Sequence, residues 1–493
     1  MKLCLINHSF RYELEKLIRI FLPFQKIEFT DYPEITELTA LTLLDSSSGK
    51  TEAVAELYFS GNVYKKVLTI DNNAEDYDKE CELKLATALF YCFTEATGYV
   101  PQWGILTGVR PAKLYSRLCN SIGQVNADEY FRNTLKVNDK KISLCKSAVA
   151  GENKIISLSK NNSYSLYISI PFCPTRCSYC SFVSHSVAQA KKLIPLYVEK
   201  LCKELEITAR IANENNLRLE TVYIGGGTPT AVSATELEKI LSAVKEQFDL
   251  STLREYTVEA GRPDTVTEEK LEIIKNYGVG RISINPQTMN DGVLKAIGRC
   301  HTAEDTVRAF RLARSLGFSN INMDLITGLP SDTCESFENT IDRVLDLNPE
   351  SVTVHSLSLK RSSEMSIKGE LPEKQVGEIA SYMVDYAREK LSAKGILPYY
   401  MYRQSKTVGN LENVGFAKSG FECLYNVYIM DETHTILANG ASAVTKLREP
   451  DGNYIERIFN FKYPYEYINR FDELITRKDG VTLFYDKYGR RNK

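Results

Sequence analysis

From about residue 164 to 394 the chain alternates between two hydrophobic rhythms. Short runs rich in Val, Ile and Tyr recur near 164–169, 220–224, 254–259, 280–284, 319–324 and 351–355. Each precedes a longer stretch with apolar residues at helical spacing, near 190–215, 233–247, 266–276, 303–316, 333–346 and 375–394. A β-rich run followed by an amphipathic helix, repeated in this way, predicts βα units with parallel strands. Right-handed crossovers curl such a series into a barrel or partial barrel, with its active site at the carboxyl ends of the strands. The expected fold class is therefore α/β, a partial (βα)6 barrel.

The first 155 residues do not share this rhythm. A helical stretch at 10–21 precedes alternating runs at 37–45, 52–60 and 63–70, then amphipathic stretches near 77–97, 110–120, 124–135 and 138–150. This predicts a separate α+β domain over 1–155, joined by the Lys-, Asn- and Ser-rich segment Gly151–Ser163 to a barrel over 160–395. Beyond 395 the pattern is mixed, with turns at Gly409–Gly415 and Asn439–Gly440, and predicts a smaller C-terminal domain over 396–493.

Composition narrows the functional classes. With 43% hydrophobic and 25% charged residues the chain is an ordinary globular protein. Lys+Arg 61 against Asp+Glu 63 leaves a net charge of −2, so no global basic field recruits nucleic acid or an anionic membrane. Charges interrupt every apolar run of the N-terminus, and no stretch reaches the length of a membrane span, so a cytoplasmic location is expected. Nine of the twelve cysteines (Cys4, Cys81, Cys92, Cys119, Cys145, Cys202, Cys300, Cys334 and Cys423) are scattered and read as small buried hydrophobes.

The other three, Cys173, Cys177 and Cys180, fall in PFCPTRCSYCSF directly after the first barrel strand. Three thiolates at this spacing can hold three irons of a 4Fe–4S cluster and leave the fourth iron open to an external ligand. A structural zinc site with His185 as fourth ligand is the alternative. YIGGGTPT ends the second strand, and its glycines either let backbone amides approach a ligand or make a plain tight turn. Glu259, Gln287, Asp324 and Ser358 sit at or just past the ends of strands three to six. Each alone fits a helix cap or a solvated side chain; together with the cysteine loop they outline a ligand site at a barrel mouth.

YISIPFCPTRCSYCSF, YIGGGTPT, YTVEAGRPD, RISINPQTMND, IGRCHT and MDLITGLPSDT follow in order, and as a set they resemble the radical S-adenosylmethionine superfamily. Within it they are similar to the oxygen-independent coproporphyrinogen III dehydrogenase family. The N-terminal extension with TGVRPAKLY resembles its HemZ branch. The resemblance implies a radical-SAM partial barrel and a 4Fe–4S cluster on Cys173, Cys177 and Cys180. It implies one S-adenosylmethionine contacted by Tyr167, Gly226, Glu259 and Val444. A second would be met by Tyr179, Gly227, Thr228, Gln287, Arg299, Asp324 and Ser358. It further implies a tetrapyrrole substrate, an electron donor such as flavodoxin or ferredoxin, and conversion of propionates to vinyls through a 5′-deoxyadenosyl radical. A C-terminal domain covering the substrate is also implied, with Gly409, Asn410 and Gly440 in its turns. One position departs from the pattern: the best-known dehydrogenases carry a fourth cysteine two residues after the third ligand, where this chain has Phe182. Haem-trafficking members also lack it.

A tetracarboxylate substrate needs local cations. Arg262, Lys360, Arg361 and Arg403 are the candidates, whereas Arg281 opens a strand at the opposite end and reads as solvated or ion-paired. Trp103, His8, His301, His355 and His434 show no ligand spacing, and His355, ending strand six, is the histidine to test. Three functions stay open: anaerobic synthesis of protoporphyrinogen IX, haem binding and transfer, and radical methyl transfer to a tetrapyrrole.

Overall fold

Strands form where the short apolar runs predict them and helices where the apolar spacing lengthens. The structure is a computed structural model that describes residues 1–23, 25–47, 50–180, 185–358, 363, 365 and 374–489. Its residues divide into two compact units, Met1–Lys146 with Arg403–Leu411, and Ser147–Tyr402 with Glu412–Lys493.

The first unit holds strands β1 (Lys2–Ile6), β2 (Glu28–Thr30), β3 (Leu38–Asp45), β4 (Glu52–Phe59) and β5 (Asn62–Thr69) in the order β2-β1-β3-β4-β5. β1 runs parallel to β2 and β3; the other pairs are antiparallel. Strands β1 and β2 are too short to show an alternation in the sequence. Helices Arg11–Phe21 and Tyr77–Thr97 bury Leu14, Leu17, Ile18, Leu85, Leu89 and Phe93. The stretch expected as one helix at 124–135 is a short helix, Gln124–Glu129, that widens into a π-turn, Tyr130–Thr134. Arg403 belongs to this unit. Its guanidinium donates to the carbonyls of Leu106 (2.6 Å) and Asn410 (3.2 Å) and lies 5.2 Å from the Trp103 ring, so it is committed to holding a loop.

The expected linker is half helix, because helix Asp139–Ile156 continues through Gly151. Buried Ile155 packs with Tyr399, Tyr400 and Tyr428, which supports those extra turns.

The second unit contains the six predicted strands. They are β6 (Ser163–Ile170), β7 (Arg218–Gly226), β8 (Glu255–Glu259), β9 (Arg281–Ser283), β10 (Ile321–Thr327) and β11 (Ser351–Ser356), all parallel and neighbouring in sequence order. The chain then adds β12 (Leu397–Arg403), β13 (Glu412–Ala417), β14 (Thr435–Asn439), β15 (Val444–Arg448) and β16 (Ile455–Phe459). The full order is β12-β13-β11-β10-β9-β8-β7-β6-β14-β15-β16. β14 pairs parallel with β6, and β13 pairs antiparallel with β11. The sequence expectation of a boundary at 395 therefore meets a different division: Glu412–Lys493 shares a sheet and a compact unit with the barrel strands.

Each barrel strand has an apolar face and a polar one. Leu166, Ile168 and Ile170, Val222 and Ile224, Ile282, Met323 and Leu325, and Val352 and Val354 are buried on the face that meets the helices. The alternate positions carry Ser165 and Tyr167, Thr221 and Tyr223, Glu255 and Glu259, Arg281 and Ser283, Asn322 and Asp324, and Thr353 and His355. Several of these inner residues bond one another. Asn322 donates to Ser283 Oγ (3.2 Å) and Asp324 Oδ1 (2.7 Å), and accepts from Ser351 Oγ (3.1 Å). Arg281, expected to be solvated or ion-paired, is buried and donates to Ser351 Oγ (3.0 Å) and Asn320 Oδ1 (3.2 Å). Of the scattered cysteines, Cys4, Cys81, Cys92, Cys145 and Cys423 are buried, Cys119, Cys202 and Cys334 partly so, and Cys300 is exposed in a loop. Among the described residues no helix is long and apolar enough to cross a membrane.

Candidate functional site

The cysteine loop leaves β6 and is held by its backbone at both ends. Phe172 and Cys173 pair with His185 and Ser186 as a two-residue ladder, and Ser178 N donates to Ile297 O (3.1 Å). Cys180 N donates to Cys177 O (3.0 Å), which folds the C-x2-C step into a turn. Thr228 Oγ1 lies 3.5 Å from Cys173 Sγ and Arg262 Nη1 3.8 Å from Cys177 Sγ, so both sulfurs face donors.

The glycines after β7 are required by space. Gly226 has φ +112°, a conformation that L side chains rarely adopt. A Cβ on Gly227 would stand 2.7 Å from Phe172 O and 3.0 Å from Cys173 Sγ. Gly227 N donates to Ile170 O (2.8 Å), which brings this backbone against the cysteine loop.

Glu259 ends β8 and Gln287 lies four residues beyond β9, whereas Asp324, expected at a strand end, sits in the middle of β10, which runs on to Thr327. Tyr223 OH donates to Glu259 Oε1 (2.5 Å). Burial lifts the Glu259 carboxyl to about 7, helped by the charge of Asp324 and opposed by Tyr223, His355 and Arg281. Burial also raises Asp324, but His355, with Nε2 3.9 Å from Oδ2, and Asn322 outweigh it and hold the carboxyl below its ordinary value. Gln287 has φ +69°, kept there by hydrogen bonds from its N to Asp324 O (2.9 Å) and from Ile326 N to its O (3.0 Å). Its Oε1 is buried with no hydrogen-bond partner, as is Arg299 Nε. Unmet polar atoms and backbone strain at a strand end mark a ligand site. Arg299 Nη1 donates to Asn285 O (2.8 Å), and Nη2 lies 3.4 Å from Tyr179 OH, whose phenol burial pushes up.

Tyr167 stacks on Tyr425 with ring centroids 5.9 Å apart, and Tyr425 on Tyr223 at 4.5 Å, which forms an aromatic wall beside Glu259. Ser358 lies two residues beyond β11. Val444 opens β15, and β14 lies between it and the strand of Tyr167. Lys360, Arg361 and Phe182 lie outside the described residues. The structure adds Asn285, Asn322, Tyr223 and Tyr425 to the site. The signal for Tyr223, Asn285 and Asn322 was the run of polar or aromatic residues at alternate positions along a strand and just past it; Tyr425 sits on the helix Leu424–Asp431 and had no such signal.

A polar strand-end site beside a three-cysteine loop, on parallel βα units, is the arrangement of one protein class. Residues 167–344 match the model of the radical SAM superfamily, and the chain belongs to that superfamily. Within it the chain is a member of the oxygen-independent coproporphyrinogen-III oxidase-like family. It is 38% identical to the oxygen-independent coproporphyrinogen-III oxidase-like protein HemZ of Bacillus subtilis, over 78% of this chain and 77% of that protein. It is also 34% identical to the heme chaperone HemW of the same organism, over 61% of this chain and 77% of that one. The fold is that of coproporphyrinogen III oxidase (HemN) from Escherichia coli, a radical SAM enzyme, with a TM-score of 0.51 at 23% identity, covering 65% and 71% of the two chains.

Membership implies a 4Fe–4S cluster and S-adenosylmethionine, and the residues present fit them. Among the described residues no three His, Cys, Asp or Glu side chains gather tightly enough for one metal ion. A cubane does not ask for that, since each thiolate binds a different iron. Three thiols in one loop, two of them faced by guanidinium and hydroxyl donors, suit such a group.

Proposed function

We propose that this chain carries out the oxygen-independent oxidative decarboxylation of coproporphyrinogen III to protoporphyrinogen IX, in the cytoplasm. Cys173, Cys177 and Cys180 would hold a cluster with one open iron. The carrying observation is the polar inner face, with unmet groups on Gln287 and Arg299, that opens beside the cysteine loop. The choice of substrate is supported by the likeness to the HemZ protein over more than three quarters of both chains.

Bound there, the cluster and S-adenosylmethionine supply a 5′-deoxyadenosyl radical that takes a hydrogen atom from an unactivated carbon. Loss of carbon dioxide, and of one electron to an acceptor, then turns a propionate into a vinyl. The chain's own residues bind and exclude. Tyr167, Gly226 and Glu259 would line the first S-adenosylmethionine, with Val444 reaching it from across β14. Tyr179, Gly227, Thr228, Gln287, Arg299, Asp324 and Ser358 would line a second. Arg299 suits a carboxylate, because its half-buried side chain has a buried Nε without a hydrogen-bond partner. Asp324, kept ionised by His355 and Asn322, suits ribose hydroxyls or an amino group. The tyrosine wall keeps water from the reacting carbon. Electrons would come from a flavodoxin or ferredoxin.

Haem binding and transfer is the second reading, favoured by the likeness to HemW. Anaerobic turnover of reconstituted protein with coproporphyrinogen III and a reductant, followed by product mass analysis, separates them. Loss of two carboxyls with 5′-deoxyadenosine formed alongside supports the proposal. Reductive cleavage of S-adenosylmethionine with the porphyrinogen returned unchanged rejects it, and tight haem binding in the same preparation then favours the second reading. A labelled methyl in the tetrapyrrole would point instead to methyl transfer.

A further inference from the structure

Arg262 was a candidate anchor for substrate carboxylates, and its position gives it other work. It lies three residues beyond β8 and is 3% exposed. Its Nη1 points at the cysteine loop, 3.4 Å from Thr175 O and 3.8 Å from Cys177 Sγ, and Nη2 donates to Thr175 Oγ1 (3.2 Å). The other edge of the guanidinium binds both oxygens of Asp264, at 3.0 and 3.1 Å. His301 Nδ1 stands 3.7 Å behind Asp264 Oδ1. The motifs GRPD and RCHT, from the loops after β8 and β9, thus meet behind the Cys177 sulfur.

We propose that the Arg262–Asp264 pair sets the reduction potential of the cluster on Cys173, Cys177 and Cys180, Arg262 raising it and Asp264 moderating that effect. The inference rests on the cluster reading above. Reduction adds one electron to a group already surrounded by thiolates, so a nearby cation and an N–H donor to sulfur stabilise the reduced form. Burial strengthens the effect, because little solvent screens a group so enclosed. Asp264 subtracts from it. Burial alone would raise the Asp264 carboxyl, but His301 and Arg262 outweigh it and hold the group well below the carboxylate range, so it carries its full charge. Arg299 also interacts with Cys177 and bonds Asn285 O and Tyr179 OH, whereas Arg262 has the Asp264 carboxylate to offset its charge.

The two residues therefore act with opposite sign, which a merely structural role would not give. The experiment is a redox titration of the reconstituted full chain, followed by electron paramagnetic resonance without S-adenosylmethionine, with iron counted in each sample. R262Q should shift the potential negative and D264N positive, each at four irons per chain, and R262K should stay near the wild type. Shifts of the same sign, or unmoved potentials at full iron loading, overturn the proposal. Should R262Q lose iron, D264N decides: a positive shift supports the proposal and any other result overturns it. Wild-type protein that takes up no iron would instead reject the cluster reading itself, and this inference with it.

Discussion

Burial beside an aromatic wall, with a second carboxylate near, lifts the Glu259 carboxyl from 4.5 to about 7 against the opposing hydrogen bond from Tyr223. The folded chain therefore binds a proton that the unfolded chain has released between those values, so stability falls as pH rises through this window. The linkage is worth up to about 3 kcal/mol at roughly 1.4 kcal/mol per unit. Denaturant unfolding of the protein without cofactors should show that decline from pH 4.5 to 7, and E259Q should flatten it. Gly227 is constrained by contact rather than charge. In G227A the new methyl meets Phe172 O and Cys173 Sγ, a clash expected to cost about 1–3 kcal/mol or to push the cysteine loop aside. Iron per chain after reconstitution, read beside the melting temperature, should fall.

At the scale of elements, the addition of β14 to β6 enlarges the barrel sheet, and a histidine just before β14 secures it. His434 has Nε2 2.8 Å from Ser165 Oγ and Nδ1 2.8 Å from Ser159 Oγ. Burial, aided by the charges of Arg448 and Arg254, pushes its imidazole down to about 3. The unfolded chain binds the proton that the folded chain refuses, so this group lowers stability as pH falls from 6.5 toward 3. Its slope opposes that of Glu259 where the windows overlap. H434A should lose about 2–4 kcal/mol at neutral pH, from the vacated volume and the lost bonds to Ser159 and Ser165, and should unfold with a weaker acid dependence than wild type. The six βα elements were legible in the sequence because each run and helix is a local pattern. β14's attachment was not, since the strand pairs with a segment about 270 residues earlier.

For the whole molecule, one buried ion pair ties the C-terminal helix Phe471–Tyr488 to the barrel. Lys478 Nζ lies 2.9 Å from Glu204 Oε1, and both side chains are buried. Glu204 Oε2 also accepts from Gly440 N (2.7 Å) and Tyr467 OH (2.6 Å). K478M leaves Glu204 charged and unpaired, an expected loss of about 3–5 kcal/mol. Adding E204Q should restore part of it, as chemical denaturation of the single and double variants would show. If the double variant is no more stable than K478M, the pair is not the source of the loss.

The sequence by itself determined the number of parallel units, their order, the strand ends that carry the site and the cysteine loop. Each of these follows from spacing within a few tens of residues, the range over which periodicity and turn chemistry act. Only the tertiary structure decided that Glu412–Lys493 joins the barrel's sheet, that Arg281 is buried and Arg403 committed to a loop, and that Arg262 backs Cys177. A charged residue near a strand end reads the same in sequence whether it meets a substrate, a sulfur or a carbonyl. Its partner is chosen by packing between segments tens to hundreds of residues apart, and no local pattern encodes that choice.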